Sequence, residues 1–484
     1  MKRSFTASFT PSSAALAACI AFVLLTGCGS GHGAPDSRPS ASGGGGGGVP
    51  QEPSASRAPA AGKGSKDPDD LNGDGHRDLL VPVAAHVDPD TNERDERVGV
   101  VFGSARGLDP ATRAVYGRSD LGIPLSKLEN QGSEDSLAAE SVTTADLDGD
   151  GFPDLVTTVT EDTGDGSGKQ RNTLYVVWGT PTGPDTRGRQ ATRLQPHSTA
   201  DQSGLYDITR GDFDGDGHHD LAGLGDNGTK AHILYGPFGR SGAPARTGSL
   251  RGNDGGLSAD AIDPTGTPRV TGLLAPSVND GEQAPSTLYA DPRTGQGREL
   301  RAGNAHAFGD FDGDGRRDVA VGDNGSRNDE PGSETEAADV DGSLTVYPGG
   351  GGPPVPYKLP APGKGRQSDY GPGGYVAADP DGDGRDGILV ATYAGATLID
   401  GEKRTPVLRQ GPAEIDHKKR SDNARRARPA GAADFDADGR DELILAWAAD
   451  DLFTLYGEHP THWWITAGTS GRNATSFATT GFVS

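Results

Sequence analysis

A nine-residue acidic element occurs six times along this chain. It reads DLNGDGHRD (Asp70–Asp78), DLDGDGFPD (Asp146–Asp154), DFDGDGHHD (Asp212–Asp220), DFDGDGRRD (Asp310–Asp318), DPDGDGRDG (Asp379–Gly387) and DFDADGRDE (Asp434–Glu442). Such recurrence marks an internal repeat, in which each copy is one supersecondary unit that buries its apolar face only against its neighbours. The spacing also carries chemistry. Oxygen-bearing side chains at positions 1, 3 and 5 converge when the backbone curls, and position 6 is Gly in every copy, as a sharp turn requires. Position 7 varies (His76, Phe152, His218, Arg316, Arg385, Arg440), which suits a ligand supplied by the backbone carbonyl. Position 9 closes the loop with a carboxylate in five copies. A hard cation with many oxygen ligands at about 2.3–2.6 Å fits this pattern. Magnesium demands a tighter octahedron and zinc prefers Cys and His, so calcium is the expected ion, at about five to six sites.

The candidate ligands are Asp70, Asn72, Asp74 and Asp78; Asp146, Asp148, Asp150 and Asp154; Asp212, Asp214, Asp216 and Asp220; Asp310, Asp312, Asp314 and Asp318; Asp379, Asp381 and Asp383; and Asp434, Asp436, Asp438 and Glu442. These loops hold 22 carboxylates in a chain of net charge −24, so the acidity is concentrated where ions would sit. That balance also argues against nucleic acid as a partner. An EF-hand is excluded. It needs a bidentate Glu at position 12 and a helix beyond, whereas position 12 here is Val81, Thr157, Gly223, Val321, Val390 and Leu445.

The segments after the loops (LLVPV, LVTTV, LAGLG, VAVGD, ILVAT, LILAW) are short apolar runs of strand character. Further strand-like segments follow, as in VGVVFGSARGL, TLYVVWGTPTG, HILYGPFG and SLTVYPGG, and others precede each loop from the second onward. With 76 Gly and 35 Pro, long helices are disfavoured and many short strands are expected. The unit is thus strand, loop, strand, turn, strand. It resembles the FG-GAP/VCBS repeat family, whose units form the blades of integrin-α-like β-propellers. The resemblance implies an all-β, seven-bladed propeller over residues 67–484, with calcium loops on one face and partner-binding loops on the other.

Seven blades require one more unit than there are intact loops. The gap between loops starting at 212 and 310 is the longest, and AIDPTGTPRV (Ala261–Val270) lies midway. It keeps Asp263 and Gly266 at positions 3 and 6 but has Ala261, Thr265 and Arg269 at positions 1, 5 and 9. We read it as a unit without a metal, with the Arg269 guanidinium supplying charge in place of the ion; the alternative is a loop insertion. Among the intact loops, the one at Asp379 reads as short by one residue, and it should bind weakly unless Asp386 swings in. The terminal Ser476–Ser484 repeats the flavour of strands that precede loops. It is expected to close the ring by pairing with Leu79–Val83.

The N-terminus reads as an address. Lys2 and Arg3 precede an apolar run from Ala14 to Leu25, too short for an ordinary membrane-spanning helix. The run ends in Leu25-Thr26-Gly27-Cys28, which resembles the bacterial lipobox and implies cleavage after residue 27 and lipidation of Cys28. Cys19 would leave with residues 1–27, so no disulfide is expected. Residues 28–66, rich in Gly, Ser, Pro and Ala, read as a disordered tether.

Other signals weigh less. Arg210-Gly211-Asp212 spells an adhesion tripeptide, but Asp212 is also a loop ligand. The four tryptophans favour core packing. The basic stretch His417–Arg428 reads as a solvated loop or an anchor for anionic headgroups. No G-x-S-x-G elbow, Walker loop or His-Glu-x-x-His motif occurs. The expected function is therefore non-catalytic: a monomeric, lipid-anchored propeller on the outer face of the cell membrane, presenting a platform to a protein or glycan. The alternatives are an extracytoplasmic enzyme with its site at the central channel, or an architectural envelope protein.

Overall fold

A computed structural model of the protein describes residues 48–483, apart from 88–93, 126–132, 163–168, 189, 196–203, 226, 278–282, 325–341, 360–373, 393, 416 and 449–458. The chain divides into two compact units, 1–43 and 44–484, and the described residues belong to the second. The apolar leader, Cys28 and the tether as far as residue 47 lie outside the described residues. Among the described residues no helix is long and apolar enough to cross a membrane.

Among the described residues, seven antiparallel sheets of three or four strands follow one another along the chain, with two small two-stranded hairpins besides. Blade 1 comprises Leu79–Val87, Arg94–Val101 and Arg113–Tyr116, and blade 2 Val142–Ala145, Asp154–Asp162, Gln170–Val177 and Thr192–Arg193. Blade 3 comprises Tyr206–Gly211, Asp220–Gly225, Lys230–Tyr235 and Arg246–Arg251. Blade 4 comprises Ser258–Ala259, Leu273–Pro276, Ala284–Tyr289 and Arg298–Gly303, so the midway segment does mark a blade. Blade 5 comprises Ala305–Gly309, Asp318–Gly322, Ser343–Tyr347 and Val355–Lys358. Blade 6 comprises Tyr375–Ala378, Gly387–Thr392, Gly395–Asp400 and Lys403–Val407. Blade 7 comprises Arg428–Ala433, Glu442–Trp447, His462–Thr466 and Asn473–Ala478. Each sheet pairs sequential strands, so no crossover is needed.

The second strand of a blade is apolar on both sides because both of its faces are covered. In blade 7, Leu443, Leu445 and Trp447 pack towards blade 6, while Ile444 and Ala446 pack towards blade 1. This is the two-residue period of a strand. Seven apolar clusters result, one at each junction between neighbouring blades. The last joins blade 7 to blade 1 through Val81, Val83, Phe435, Ile444, Trp463, Phe477 and Phe482. The ring is therefore closed by side-chain packing.

That closure corrects an expectation. The tail does not pair with Leu79–Val83; Asn473–Ala478 pairs with His462–Thr466 as the outer strand of blade 7. The physical reason is a count of strands. Three strands follow each loop in a four-stranded blade, and after the loop at Asp434 only the tail remains to be the third. Blade 1 lacks an inner strand, which is reduced to a hydrogen bond from Asp78 N–H to the Asp69 carbonyl (2.7 Å). Residues 48–66, assigned to the tether by composition, are hydrogen-bonded along blades 7, 1 and 2. A segment with no apolar face can still be held through its backbone, and composition does not register that.

Candidate metal centres

Each acidic loop joins the first strand of its blade to the second, except in blade 1, where it precedes the sheet. All six loops therefore lie at one end of the ring. In five of the six the position 1 carboxylate turns inward and accepts the N–H groups of positions 5 and 6; in the second loop Asp146 accepts that of Gly151 (3.0 Å), while the Asp150 N–H goes to Asp148 (3.3 Å). Asp70 accepts from Asp74 (3.0 Å) and Gly75 (2.7 Å), and Asp212 from Asp216 (3.0 Å) and Gly217 (3.1 Å). The glycine of position 6 has a positive φ, +91° at Gly75 and +85° at Gly217, which a side chain would strain.

Position 9 has a second task that the sequence reading missed. In four of the loops its carboxylate accepts the position 2 N–H with one oxygen and, with the other, the N–H of a glycine that follows the hairpin partner of its own strand; Glu442 accepts the position 2 N–H of Phe435 (3.0 Å). Asp154 accepts from Leu147 (2.9 Å) and Gly179 (2.7 Å); Asp318 accepts from Phe311 (2.9 Å) and Gly349 (2.7 Å). Asp78 does the same with Leu71 and Gly103, and Asp220 with Phe213 and Gly236. The partner is glycine because the backbones nearly touch: a Cβ at Gly179 would lie 2.2 Å from the Phe152 carbonyl oxygen, and one at Gly349 2.1 Å from that of Arg317. The recurrence of Gly in VVFG, VVWG, ILYG and VYPG was the available signal.

Five loops bring three carboxylates within 4.8 Å of one another: Asp146, Asp148 and Asp150; Asp212, Asp214 and Asp220; Asp310, Asp312 and Asp318; Asp379, Asp381 and Asp383; and Asp434, Asp436 and Glu442. In the first loop the amide of Asn72 takes the place of a carboxylate. Two buried oxygens here, Asn72 Oδ1 and Asp146 Oδ1, have no hydrogen-bond partner. Such groups are costly to leave unmet, and a cation in the loop would satisfy them. Burial, reinforced by the neighbouring carboxylates, pushes Asp220 up to about 8 and Glu442 up to about 7, and raises Asp78 and Asp154 well above the usual range. Crowded, desolvated oxygens of this kind fit a divalent ion, and the all-oxygen donor set fits calcium.

A titration follows from these shifts. A carboxyl whose folded pKa lies above its unfolded value keeps a proton that the unfolded chain has released, so stability falls as pH rises towards the folded value. The buried His219 and His306, pushed down by desolvation to about 3 and about 4, act in the opposite sense only at lower pH. Cation-free protein is thus expected to melt at a lower temperature at pH 8.5 than at pH 7, and saturating calcium should remove the trend. Thermal scans in chelator check this, and a melting point that rises with pH would contradict it.

The departures from the pattern have structural explanations. The Asp379 loop is not short, since Gly387 pairs with Ala378 as position 9 does elsewhere. Asp386 does not swing in. It accepts the Asp310 N–H of blade 5 (2.7 Å) and an Arg317 N–H (3.0 Å). In blade 4, Arg269 folds onto the Asp260 carboxylate and the Ala261 carbonyl, and Arg317 reaches Asp260 from the other side (3.0 Å). Protein cations thus neutralise the buried carboxylate beside this loop. Arginines also stand at the rims of intact loops: Arg240 pairs with Asp148 and Asp150 while lying over the Trp178 ring, and Arg246 pairs with Asp214 over Tyr235. The other three tryptophans, Trp447, Trp463 and Trp464, are buried.

Neighbouring loops touch. Phe152 at position 7 of blade 2 lies over Gly73 of the first loop, and Arg440 of blade 7 lies over Gly382 of blade 6. Inside the ring, a cavity of about 400 Å³ is lined by Thr143, Thr144, Ile208, Arg210, Ala432 and Asp69 among others. The Arg210 guanidinium meets both Asp69 oxygens at 2.7 Å. Burial alone would raise Asp69, but the Arg210 and Arg77 guanidiniums hold it well below the usual carboxylate range. Arg210 is thereby committed inside the ring, and Asp212 to its loop, so the tripeptide is not displayed as an adhesion motif. The basic stretch forms a small hairpin, Glu414–Ile415 with Lys418–Lys419, on which Lys418 and Lys419 are exposed.

The family model of the FG-GAP repeat matches residues 138–177, which hold the loop and first three strands of blade 2. No curated protein matches. Among solved structures, the chain is similar to BBS1N in its complex with ARL6DN, at 12% identity and a TM-score of 0.39, covering 70% of this chain and 82% of that one. It is also similar to the Vibrio cholerae (V. cholerae) biofilm matrix protein Bap1, at 12% identity and a TM-score of 0.33, covering 86% and 90%. A third is an Agrocybe aegerita lectin that recognises non-reducing terminal N-acetylglucosamine, at 16% identity and a TM-score of 0.30, covering 84% and 81%. The chain is a seven-bladed β-propeller whose second blade carries an FG-GAP repeat.

Proposed function

We propose that this propeller is a calcium-stabilised, non-catalytic binding platform, held at the outer face of the cell membrane by lipid on Cys28 and offered to a protein or glycan. The observation that carries the calcium reading is the set of five converging carboxylate clusters at one end of the ring, together with the buried, unpartnered oxygens of Asn72 and Asp146. Bound ions would tie the first strand of a blade to the second, as the position 9 hydrogen bonds already tie the third. A rigid ring leaves the loops at its opposite end free to vary, which suits recognition more than chemistry. Calorimetric titration of chelated protein with calcium tests the ion, and heat for fewer than two sites would defeat the reading. Capture from envelope extract, with and without chelator, tests the platform. The anchor rests on Leu25-Thr26-Gly27-Cys28. Replacing Cys28 by Ser should release the protein from the membrane fraction or block its processing, and unchanged fractionation with normal processing would refute the anchor.

A further inference from the structure

Residues 48–66 form a strap that begins on the last blade and ends on the first two cation loops. The Trp464 indole N–H reaches the Gly48 carbonyl (3.4 Å), Ala478 N–H donates to Gln51 (3.1 Å), and the Thr480 hydroxyl to Glu52 (2.7 Å). The chain then runs along the open outer edge of blade 1, where Arg57 N–H donates to Ala111 (2.7 Å). At the loop end its backbone closes on the first cation loop. Gly62 N–H donates to the Asn72 carbonyl (3.1 Å), and the N–H groups of Lys63 and Gly64 share that of Gly73 (2.8 and 3.0 Å). Ser65 N–H donates to Gly151 of the second loop (2.8 Å).

One contact bears on the ion directly. The Asn72 side-chain amide nitrogen donates to the Ala60 carbonyl of the strap (2.9 Å) and to the Asp74 carboxylate of the loop (3.1 Å), so that its Oδ1 is left buried and without a partner. Asn72 is the first loop's substitute for a carboxylate. Unlike a carboxylate it has only one acceptor oxygen, so its orientation decides whether it is a ligand.

We propose that the strap is a working part of the first cation site, so that occupancy of this loop and attachment of residues 57–66 form one linked equilibrium. Calcium in the loop holds the strap, and the strap positions Asn72 for calcium; by reciprocity each strengthens the other by the same factor. Loss of the ion would release the segment that joins the propeller to the preceding sequence, and so lengthen that connection. The inference rests on the calcium reading above.

Trypsin reports on the strap, because the Arg57, Lys63 and Lys66 side chains are exposed while the neighbouring backbone is pinned. In the full chain, chelation is expected to speed cleavage after Lys63 and Lys66 at least tenfold. Asp74→Asn should do the same in saturating calcium, and Asp383→Asn, in the loop of blade 6, should not. Gly62→Val, whose Cβ would lie 2.1 Å from the Asn72 carbonyl oxygen, should cost one bound calcium at 1 mM by equilibrium dialysis. Adding Asn72→Asp should restore it, since a carboxylate needs no aiming. Calorimetry on the same samples separates the two claims. If no calcium binds, the calcium reading falls and takes the linkage with it. If calcium binds but cleavage of the wild type does not respond, or if Asp383→Asn frees the strap as Asp74→Asn does, the strap proposal alone is overturned.

Discussion

Stripping calcium is expected to lower the melting temperature by about 2–8 °C relative to 1 mM calcium, and by about 7–15 °C relative to 10 mM. Extracellular calcium modules have dissociation constants of about 0.1–1 mM, so each occupied site adds roughly 0.4–1.4 kcal/mol at 1 mM and roughly 1.4–2.7 kcal/mol at 10 mM. With five carboxylate clusters this comes to about 2–7 and 7–14 kcal/mol. An unfolding entropy of about 2.1 cal/mol/K per residue, over roughly 430 residues, makes each kcal/mol worth about 1 °C. The dependence on concentration distinguishes this from a nonspecific salt effect: sodium or magnesium at equal ionic strength should reproduce little of it. The loops should also contribute unequally. Asp212→Asn should remove more of the calcium-dependent shift than Asp379→Asn, because Asp220 closes the former loop and Asp386 is committed to blade 5. A melting temperature that ignores calcium in protein shown to be chelated at the outset would overturn the whole set.

The loops were legible because their chemistry is local. Position 1 reaches the N–H of position 6 in every loop, and that of position 5 in five of them, within one turn, so the spacing states the geometry. Blade 4 was legible for a different reason: the gap between the loops at 212 and 310 is twice a repeat, and a packed ring tolerates no missing wedge. What stayed hidden depended on partners distant in sequence. Asp386 looked available to its own loop, yet a neighbouring blade supplies the Asp310 N–H that takes it. The glycines at 103, 179, 236 and 349 lay inside segments read only as strand-like, whereas each donates to a position 9 carboxylate across a gap that leaves no space for a Cβ. The strap was hidden because its attachments are backbone hydrogen bonds to an edge and to loops, which leave no apolar pattern. The tail misled through local likeness: FATTGF resembles SVTTADL before a loop, but an outer strand and an inner strand share the same β-forming composition.

Deleting residues 473–483 is expected to abolish the cooperative thermal transition, and Phe477→Ala alone should cost about 3–5 kcal/mol, the usual range for an aromatic removed from a core. Phe477 is fully buried. It stacks against Trp463 (ring centroids 6.3 Å apart) and against Phe482 (5.8 Å), whose own ring carries the Arg113 guanidinium of blade 1 at 4.6 Å. These rings share one cluster with Val81, Val83 and Val101 of blade 1. The deletion would therefore remove the outer strand of blade 7, open the junction with blade 1, and free the strap's first attachments at Gln51 and Glu52. An opened ring exposes two apolar blade faces at once, a loss comparable with the whole stability of about 5–15 kcal/mol typical of a domain. Removing only Val483 and Ser484 should be nearly neutral, because Val483 is exposed. Calorimetry and near-ultraviolet circular dichroism decide the matter. A 473–483 deletion that still melts cooperatively within about 2 °C of the full chain would show that the first and last blades do not need each other.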